Sequence, residues 1–282
     1  MTIRLLALDI DGTLAVRGDE VSERTRAALQ RAAEAGIEVV IATGRRYRTT
    51  QRVIGALGFD VRAVCLGGSL VKERDGRTLR TSTLSAKQFR GVTEALRSAG
   101  QSAIVQRDSS DGGADFVMDG ALAWNGPTSR YMATGQDYAE WAADLTSESR
   151  ADALVVGAFG PREDLLAASG AALAAFPGEL FSVVTALPAS SENRGAFYLE
   201  IVSAAVCKWQ GLQFLADHLG VAEDAICTVG DELNDLTMIR GAALGIAMGN
   251  AHPDLQAAAN KVIGRNDEDG IADWVEAHLG ER

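Results

Sequence analysis

Cysteine is scarce in this 282-residue chain, and the three present, Cys65, Cys207 and Cys227, have neither metal-like nor disulfide-like spacing. They fit small buried side chains in a reducing compartment. No apolar stretch approaches the length of a membrane span. The apolar opening is short and ends abruptly in acid, unlike a signal peptide, so a soluble cytoplasmic protein is expected. Histidine is also sparse: His218, His252 and His278 read as helix-surface or capping residues. None lies near a strand end, and no Gly-x-Ser-x-Gly elbow is present, which excludes a Ser-His-Asp hydrolase. Positive charge is short too, with 27 Lys and Arg against 38 Asp and Glu and a formal net charge of −11. Such a surface repels nucleic acid and anionic lipid, so neither is an expected partner; a small molecule or a cation is. The same balance is also the ordinary surface of a soluble protein. There is no internal repeat and no low-complexity tract, and the oligomeric state is not legible.

What is present is an alternation of strand and helix signals at both ends of the chain. Residues 3–10 read as a buried strand, 21–35 as a helix capped by Ser22, 37–42 as a second strand, 46–57 as a helix and 61–66 as a third strand. Short links between such units imply parallel strands, right-handed crossovers and an α/β sheet covered on both faces. The pattern returns in the last third, with a helix at 208–219, a strand at 225–229, a helix at 233–240, strands at 244–248 and 261–263, and a closing helix at 271–279. Between them lie a hairpin at 69–83 and a helix at 85–99. Strand-like pieces follow at 102–107, 115–118, 153–159, 180–187 and 196–202. Helices are expected there around 138–145 and 163–175, with loops at 108–114 and 125–128. The expected organisation is a discontinuous core, residues 1–82 and 204–282, with an inserted α+β domain at 83–203.

The run LLALDIDGTL carries Asp9 and Asp11 out of an apolar strand. Acidic residues at such a place face a cation or a reacting group, because burying an unpaired charge is costly. Thr43, Gly44 and Arg45 follow the second strand, Lys208 opens a helix, and Gly230-Asp231-Glu232-Leu233-Asn234-Asp235 follows a later strand. In parallel sheets the carboxyl ends of strands form the ligand edge. The set is wrong for zinc, which prefers histidine and thiolate. Oxygen ligands from Asp9, Asp231 and Asp235 suit Mg2+. A lysine and a hydroxyl beside them make a cradle for a phosphoryl group. Asp9 can then attack as nucleophile, while Asp11 moves protons. Taken singly, Thr43 reads as a helix cap, Lys208 as a solvated helix residue, Asp231 as an acid at a helix start and Arg45 as half of a surface ion pair. Trp124, Trp141, Trp209 and Trp274 read as packing, with Trp124 also a candidate substrate contact.

DIDGTL, ATGR, Lys208 and GDELND, in this order, resemble the four motifs of the haloacid dehalogenase-like phosphatases. The mixed insertion and the run AMGNAHPDLQAAANKV resemble the Cof-type sugar-phosphatase branch. The resemblance implies an α/β fold: a Rossmann-like, doubly wound parallel-sheet core with an inserted α+β cap. It implies Mg2+ as cofactor and a small phosphate ester, a sugar or polyol phosphate, as substrate. It makes Asp9 the nucleophile and a metal ligand. Asp11 becomes the acid/base, holding the metal through its backbone carbonyl. Thr43, Gly44, Arg45, Lys208 and Asn234 would meet the substrate, and Asp231 and Asp235 would serve the metal. Two departures stand out. Gly67-Gly68-Ser69 replaces the branch's Asn-Gly-Ala, removing an Asn contact, and Cys207 and Trp209 flank the lysine where Ser and Gly are usual, suggesting a bulkier wall beside it. The rival readings are a phosphomutase of the same superfamily, a phospho-aspartate receiver and a non-catalytic phosphometabolite sensor.

Overall fold

A computed structural model describes residues 2–109, 112–133, 136–187 and 195–280. The chain divides into two compact units, Met1–Arg80 with Cys207–Arg282, and Thr81–Val206.

In the first unit β1 (Leu5–Leu8) is followed by α1 (Glu23–Glu34), β2 (Glu38–Ala42), α2 (Tyr47–Leu57), β3 (Arg62–Cys65), β4 (Leu70–Lys72) and β5 (Thr78–Thr81). All four residues of β1 are buried, as expected of a central parallel strand covered on both faces. Ser22 caps α1 by accepting from the Thr25 N–H at 3.0 Å.

The second unit holds α3 (Ala86–Ser98), β6 (Ile104–Gln106), β7 (Phe116–Asp119), α4 (Gly126–Ala133), β8 (Ala139–Ala142), β9 (Val155–Pro161), α5 (Arg162–Ala175), β10 (Leu180–Ala186) and β11 (Ala196–Ser203). Its strands run β10-β11-β9-β6-β7-β8 in one sheet. On one face Phe89 and Val92 of α3 and Leu165 and Ala168 of α5 pack on Val156, Leu199 and Ile201. On the other, Tyr131 and Met132 of α4 meet Phe116, Phe159 and Tyr198. The alternation along β11 follows: Leu199 and Ile201 face the helices α3 and α5, whereas Tyr198 and Glu200 face away from them.

Two expectations need correction here. Residues 138–145, read as a helix, contain β8, whose backbone pairs in parallel with β7. A segment this short takes its state from a neighbouring strand rather than from its own propensity. Residues 125–128, read as a loop, open α4. The Asn125 side chain accepts from the Thr128 N–H at 2.9 Å, and Pro127 sits in the first turn, where its missing N–H costs nothing. The expected loop at 108–114 lies partly outside the described residues, at 110 and 111.

The chain then returns to the first unit with α6 (Lys208–Leu219), β12 (Ile226–Gly230), α7 (Leu236–Gly241), β13 (Leu244–Ala247), α8 (Pro253–Ala258), β14 (Lys261–Val262) and α9 (Gly270–Gly280). The first sheet has the order β14-β13-β12-β1-β2-β3-β4-β5. β1 pairs in parallel with β12 on one side and β2 on the other. The two Asp-bearing turns therefore leave the sheet from adjacent strands. This is an α/β, Rossmann-like core. Among the described residues no helix is long and apolar enough to cross a membrane.

Candidate active site

Asp9 leaves β1 one residue beyond its end, and its N–H donates to the Val229 carbonyl at 3.0 Å, tying the turn to β12. Asp231 leaves β12 in the same way, one residue past Gly230. Lys208 opens α6 with its side chain 2% exposed, so it is no solvated helix residue. Its ammonium donates to Asp9 Oδ1 at 2.5 Å and to Asp235 Oδ1 at 2.6 Å. The second oxygen of Asp235 accepts from the Asp231 N–H at 3.0 Å and the Glu232 N–H at 3.2 Å. Carboxylate oxygens of Asp9, Asp231 and Asp235 all lie within 4.8 Å of one another.

Three buried carboxylates share one ammonium, and the charges show it. Burial pushes the Asp9 carboxyl up to about 7; Lys208 pulls it down, while Asp235 and Asp231 add to the rise. Burial likewise raises Asp231 to about 6, against the hydrogen bond from Thr13. Burial alone would lower the Lys208 ammonium, but Asp235 and Asp9 overcome that and hold it above its ordinary value. The cluster is short of positive charge, three carboxylates against one ammonium, and the ligand atoms its carboxylates offer are oxygen. That combination fits a hard divalent cation.

Close packing sets this geometry. Gly12 has φ +80°, and a Cβ there would sit 2.1 Å from Asp231 Oδ2. Only glycine accepts both the conformation and the approach. Thr13 Oγ1 then donates to Asp231 Oδ1 at 2.7 Å. Asn250 Nδ2 donates to the Gly12 carbonyl at 2.7 Å, and Asn266 Nδ2 to the Ala15 carbonyl at 3.0 Å. Thr13, Asn250 and Asn266 were not singled out from the sequence. Thr13 stood inside DIDGTL and Asn250 inside AMGNAHPDLQAAANKV, but nothing local marks the two asparagines' hydrogen bonds, because their partners are more than two hundred residues away.

Asp11 parts from Asp9. An extended strand through both residues would aim them the same way, but β1 stops at Leu8, and the Asp11 side chain is 64% exposed. Arg45 grips it as a fork, Nε to Oδ2 at 2.8 Å and Nη2 to Oδ1 at 2.5 Å. The same guanidinium donates to Asp19 Oδ1 at 2.5 Å and to the Gly18 carbonyl at 2.9 Å. Thr43 is buried at the end of β2, and its Oγ1 accepts from the Arg45 N–H at 3.1 Å. It is not the cap of α2; Arg46 holds that position. Gly44 and Asn234 are exposed, and Asn234 shows no hydrogen bond among the described residues. Thus Asp9, Lys208, Asp231 and Asp235 converge, Asp11 pairs with Arg45, and Asn234 stands apart from both groups.

The two departures from the motif pattern have a packing reason. Gly68 has φ +112°, and a Cβ there would meet the Cys207 carbonyl at 2.2 Å, so the loop after β3 lies against the residue that precedes the lysine. The Trp209 ring covers Gly241, where a Cβ would come within 2.4 Å of it, and so packs α6 on α7. Two histidines fit the expectation: His252 Nδ1 accepts from the Asp254 N–H at 3.2 Å, capping α8, and His218 is exposed; His278 departs from it, half-buried and stacked on Trp274 with centroids 5.6 Å apart.

A family profile described as haloacid dehalogenase-like hydrolase matches residues 6–275. The chain belongs to the haloacid dehalogenase-like hydrolases. It is similar to the pyridoxal phosphate phosphatase YbhA of Escherichia coli, 28% identical over 99% of this chain and 100% of that protein. It is also similar to the stress response protein YhaX of Bacillus subtilis, 27% identical over 96% of this chain and 92% of that one. Among solved structures, TM0651 of Thermotoga maritima superposes with a TM-score of 0.81 at 21% identity, covering 98% of this chain and 97% of the other. The likeness therefore spans both units of this Cof-type hydrolase, not its core motifs alone.

Proposed function

We propose that this hydrolase is a Mg2+-dependent phosphatase acting on a small phosphorylated metabolite, a sugar or polyol phosphate, through an aspartyl-phosphate on Asp9. The observation that carries the reading is the Lys208 ammonium held between Asp9 and Asp235 with Asp231 beside them. In the first step an Asp9 oxygen attacks phosphorus, the ester P–O bond breaks, and the leaving oxygen takes a proton from Asp11. In the second, water attacks the same phosphorus, Asp11 receives the water's proton, and the bond to Asp9 breaks. Lys208 and Thr43 stabilise the phosphoryl oxygens, with Gly44 and Asn234 as further substrate contacts. Arg45, expected to touch substrate, is better placed as the partner that fixes Asp11.

Asp9 and Asp231 would hold the metal with the Asp11 backbone carbonyl. Asp235 already has both oxygens engaged, by Lys208 and by two backbone N–H groups, so it positions the lysine and the turn. Bound Mg2+ would offset phosphoryl charge and orient the ester. The test is a phosphate-release screen over a panel of phosphorylated metabolites, with Mg2+ or with EDTA, beside Asp9→Asn. Release that needs Mg2+ and disappears in the variant supports the reading. No release from any ester, or equal release by the variant, ends it.

A further inference from the structure

The sheet of the second unit has two edges, and they differ. β8 is four residues long and carries Glu140, a short charged edge that resists further pairing. β10, at the other edge, has seven residues with neither charge nor proline, and it pairs with β11 in unbroken register, so no bulge turns it away. Among the described residues nothing pairs with its other side. The Ala204 N–H donates to the Glu179 carbonyl at 2.8 Å, and the Leu187 N–H to the Ala196 carbonyl at 3.0 Å. Odd-numbered residues therefore bond to β11, and Leu180, Ser182, Val184 and Ala186 aim their N–H and C=O groups at the free edge. Apolar side chains flank that edge on both faces. On one, Phe181 is 52% and Val183 38% exposed, with Thr185 in line. On the other lies α5, tied to β10 by the Ser169 and Ser182 hydroxyls at 2.7 Å. Leu166 and Leu173 flank Ser169 at i−3 and i+4, and Leu166 is 41% exposed. From Leu165 to Leu187 the only charged residue is Glu179, and Gln88 engages it.

We propose that the β10 edge, with the α5 flank beside it, docks on the same edge of a second copy of this chain, joining the two sheets antiparallel about a dyad at Val183. The strand is self-complementary about that residue. Leu180 pairs with Ala186 and Ser182 with Val184 across the dyad, so every outward N–H and C=O finds its partner. Val183 then faces its own copy, and Phe181 lies across from Thr185, extending a row of apolar and β-branched side chains over the junction. Charge favours this occupant. The chain carries −11, so two copies repel over most of their surface, and this uncharged stretch is where they can meet without burying an ion. A charged segment of another protein would find no counter-ion here. Size is adequate as well. Seven residues make an edge about 23 Å long, and with the helix beside it a strip about 25 Å deep. Counting both copies, that strip is about 1,100 Å2, just above the threshold for a specific interface, and implies micromolar dissociation.

Sedimentation velocity on the full chain, from about 1 to 100 µM, reads the result. Wild type should shift from 29.7 kDa to twice that mass as concentration rises. Val183→Lys sets two ammonium groups against each other at the dyad, and should stay a monomer with unchanged circular dichroism. Cysteine cross-linking tests the register independently of that variant. Val183→Cys brings two thiols together on adjacent strands, with Cα atoms about 4.5–5.5 Å apart. Phe181→Cys leaves them about 13 Å apart, beyond the roughly 7 Å that a disulfide spans. Under mild oxidant Val183→Cys should yield a covalent dimer, and Phe181→Cys no more of it than wild type. A single 29.7 kDa species at every concentration, a Val183→Lys protein that still dimerises, or equal cross-linking by the two cysteine variants overturns the proposal. So does growth past two copies, because the dyad occupies the one β10 edge of each.

Discussion

The two units differ in how they hold their acidic side chains. In the first, Asp9, Asp231 and Asp235 each have a partner: the Lys208 ammonium, the Thr13 hydroxyl or backbone N–H groups. In the second, the buried Asp119 pairs with Arg97 at 2.7 Å, whereas the half-buried Glu200 has no partner among the described residues. A paired cluster rigidifies and defines one chemistry, whatever ester arrives.

The largest change tests the reactive side of that contrast. Asp9→Asn should lower kcat/KM by about 10³-fold or more while leaving the fold intact, read by phosphate release and circular dichroism. A variant that retains a tenth of wild-type activity would remove Asp9 from the chemistry. Lys208→Met takes away the cation shared by Asp9 and Asp235, and an uncompensated buried charge costs about 3–5 kcal/mol. Its denaturant midpoint should fall accordingly, and on the proposed metal role should recover in part with Mg2+ through preferential binding to the folded state. Unchanged stability would mean that the carboxylates are already neutral.

Glu200→Gln should act with the opposite sign. The carboxyl of Glu200 lies at about 7, above the ordinary 4.5. Protonation therefore favours the folded state; this contribution is complete below about pH 4.5 and is lost as pH rises through 7. The variant should be more stable than wild type by about 1–2 kcal/mol at pH 8, allowing for solvent screening, and equal to it near pH 4.5. Urea unfolding at the two pH values checks this, and a constant difference would show that the charge is solvated. The smallest effect belongs to Arg45→Lys. A lysine cannot reproduce the fork on Asp11, so kcat should fall by about three- to tenfold and the pH profile shift, with KM nearly unchanged. A change confined to KM would return Arg45 to the substrate contacts read from the sequence.

The core was legible because its signals are local. Each apolar run ends in a polar motif a few residues long, and the parallel pairing of β1 with β2 and β12 brings those ends to one edge. The second unit was less so. β8 depends on the neighbouring β7 for its extended state, and α4 begins on Asn-Gly-Pro, which reads as a turn unless Asn125 is recognised as a cap. Glu200 was invisible for a similar reason. In an alternating strand a glutamate reads as a solvated residue, and only the sheet around it shows that the face is partly closed. Asn250 and Asn266 needed contacts across most of the chain to be noticed.

The position of β1 also bears on synthesis. Its partner on one side is β2, made almost at once, but its other partner is β12, which begins at Ile226. At ribosomal rates the open edge of an all-apolar strand waits on the order of tens of seconds for its neighbour. The inserted unit is complete within that interval and can fold ahead of the domain it interrupts. A nascent chain arrested before residue 226 would expose that edge, making it a natural client for chaperones that bind extended apolar segments.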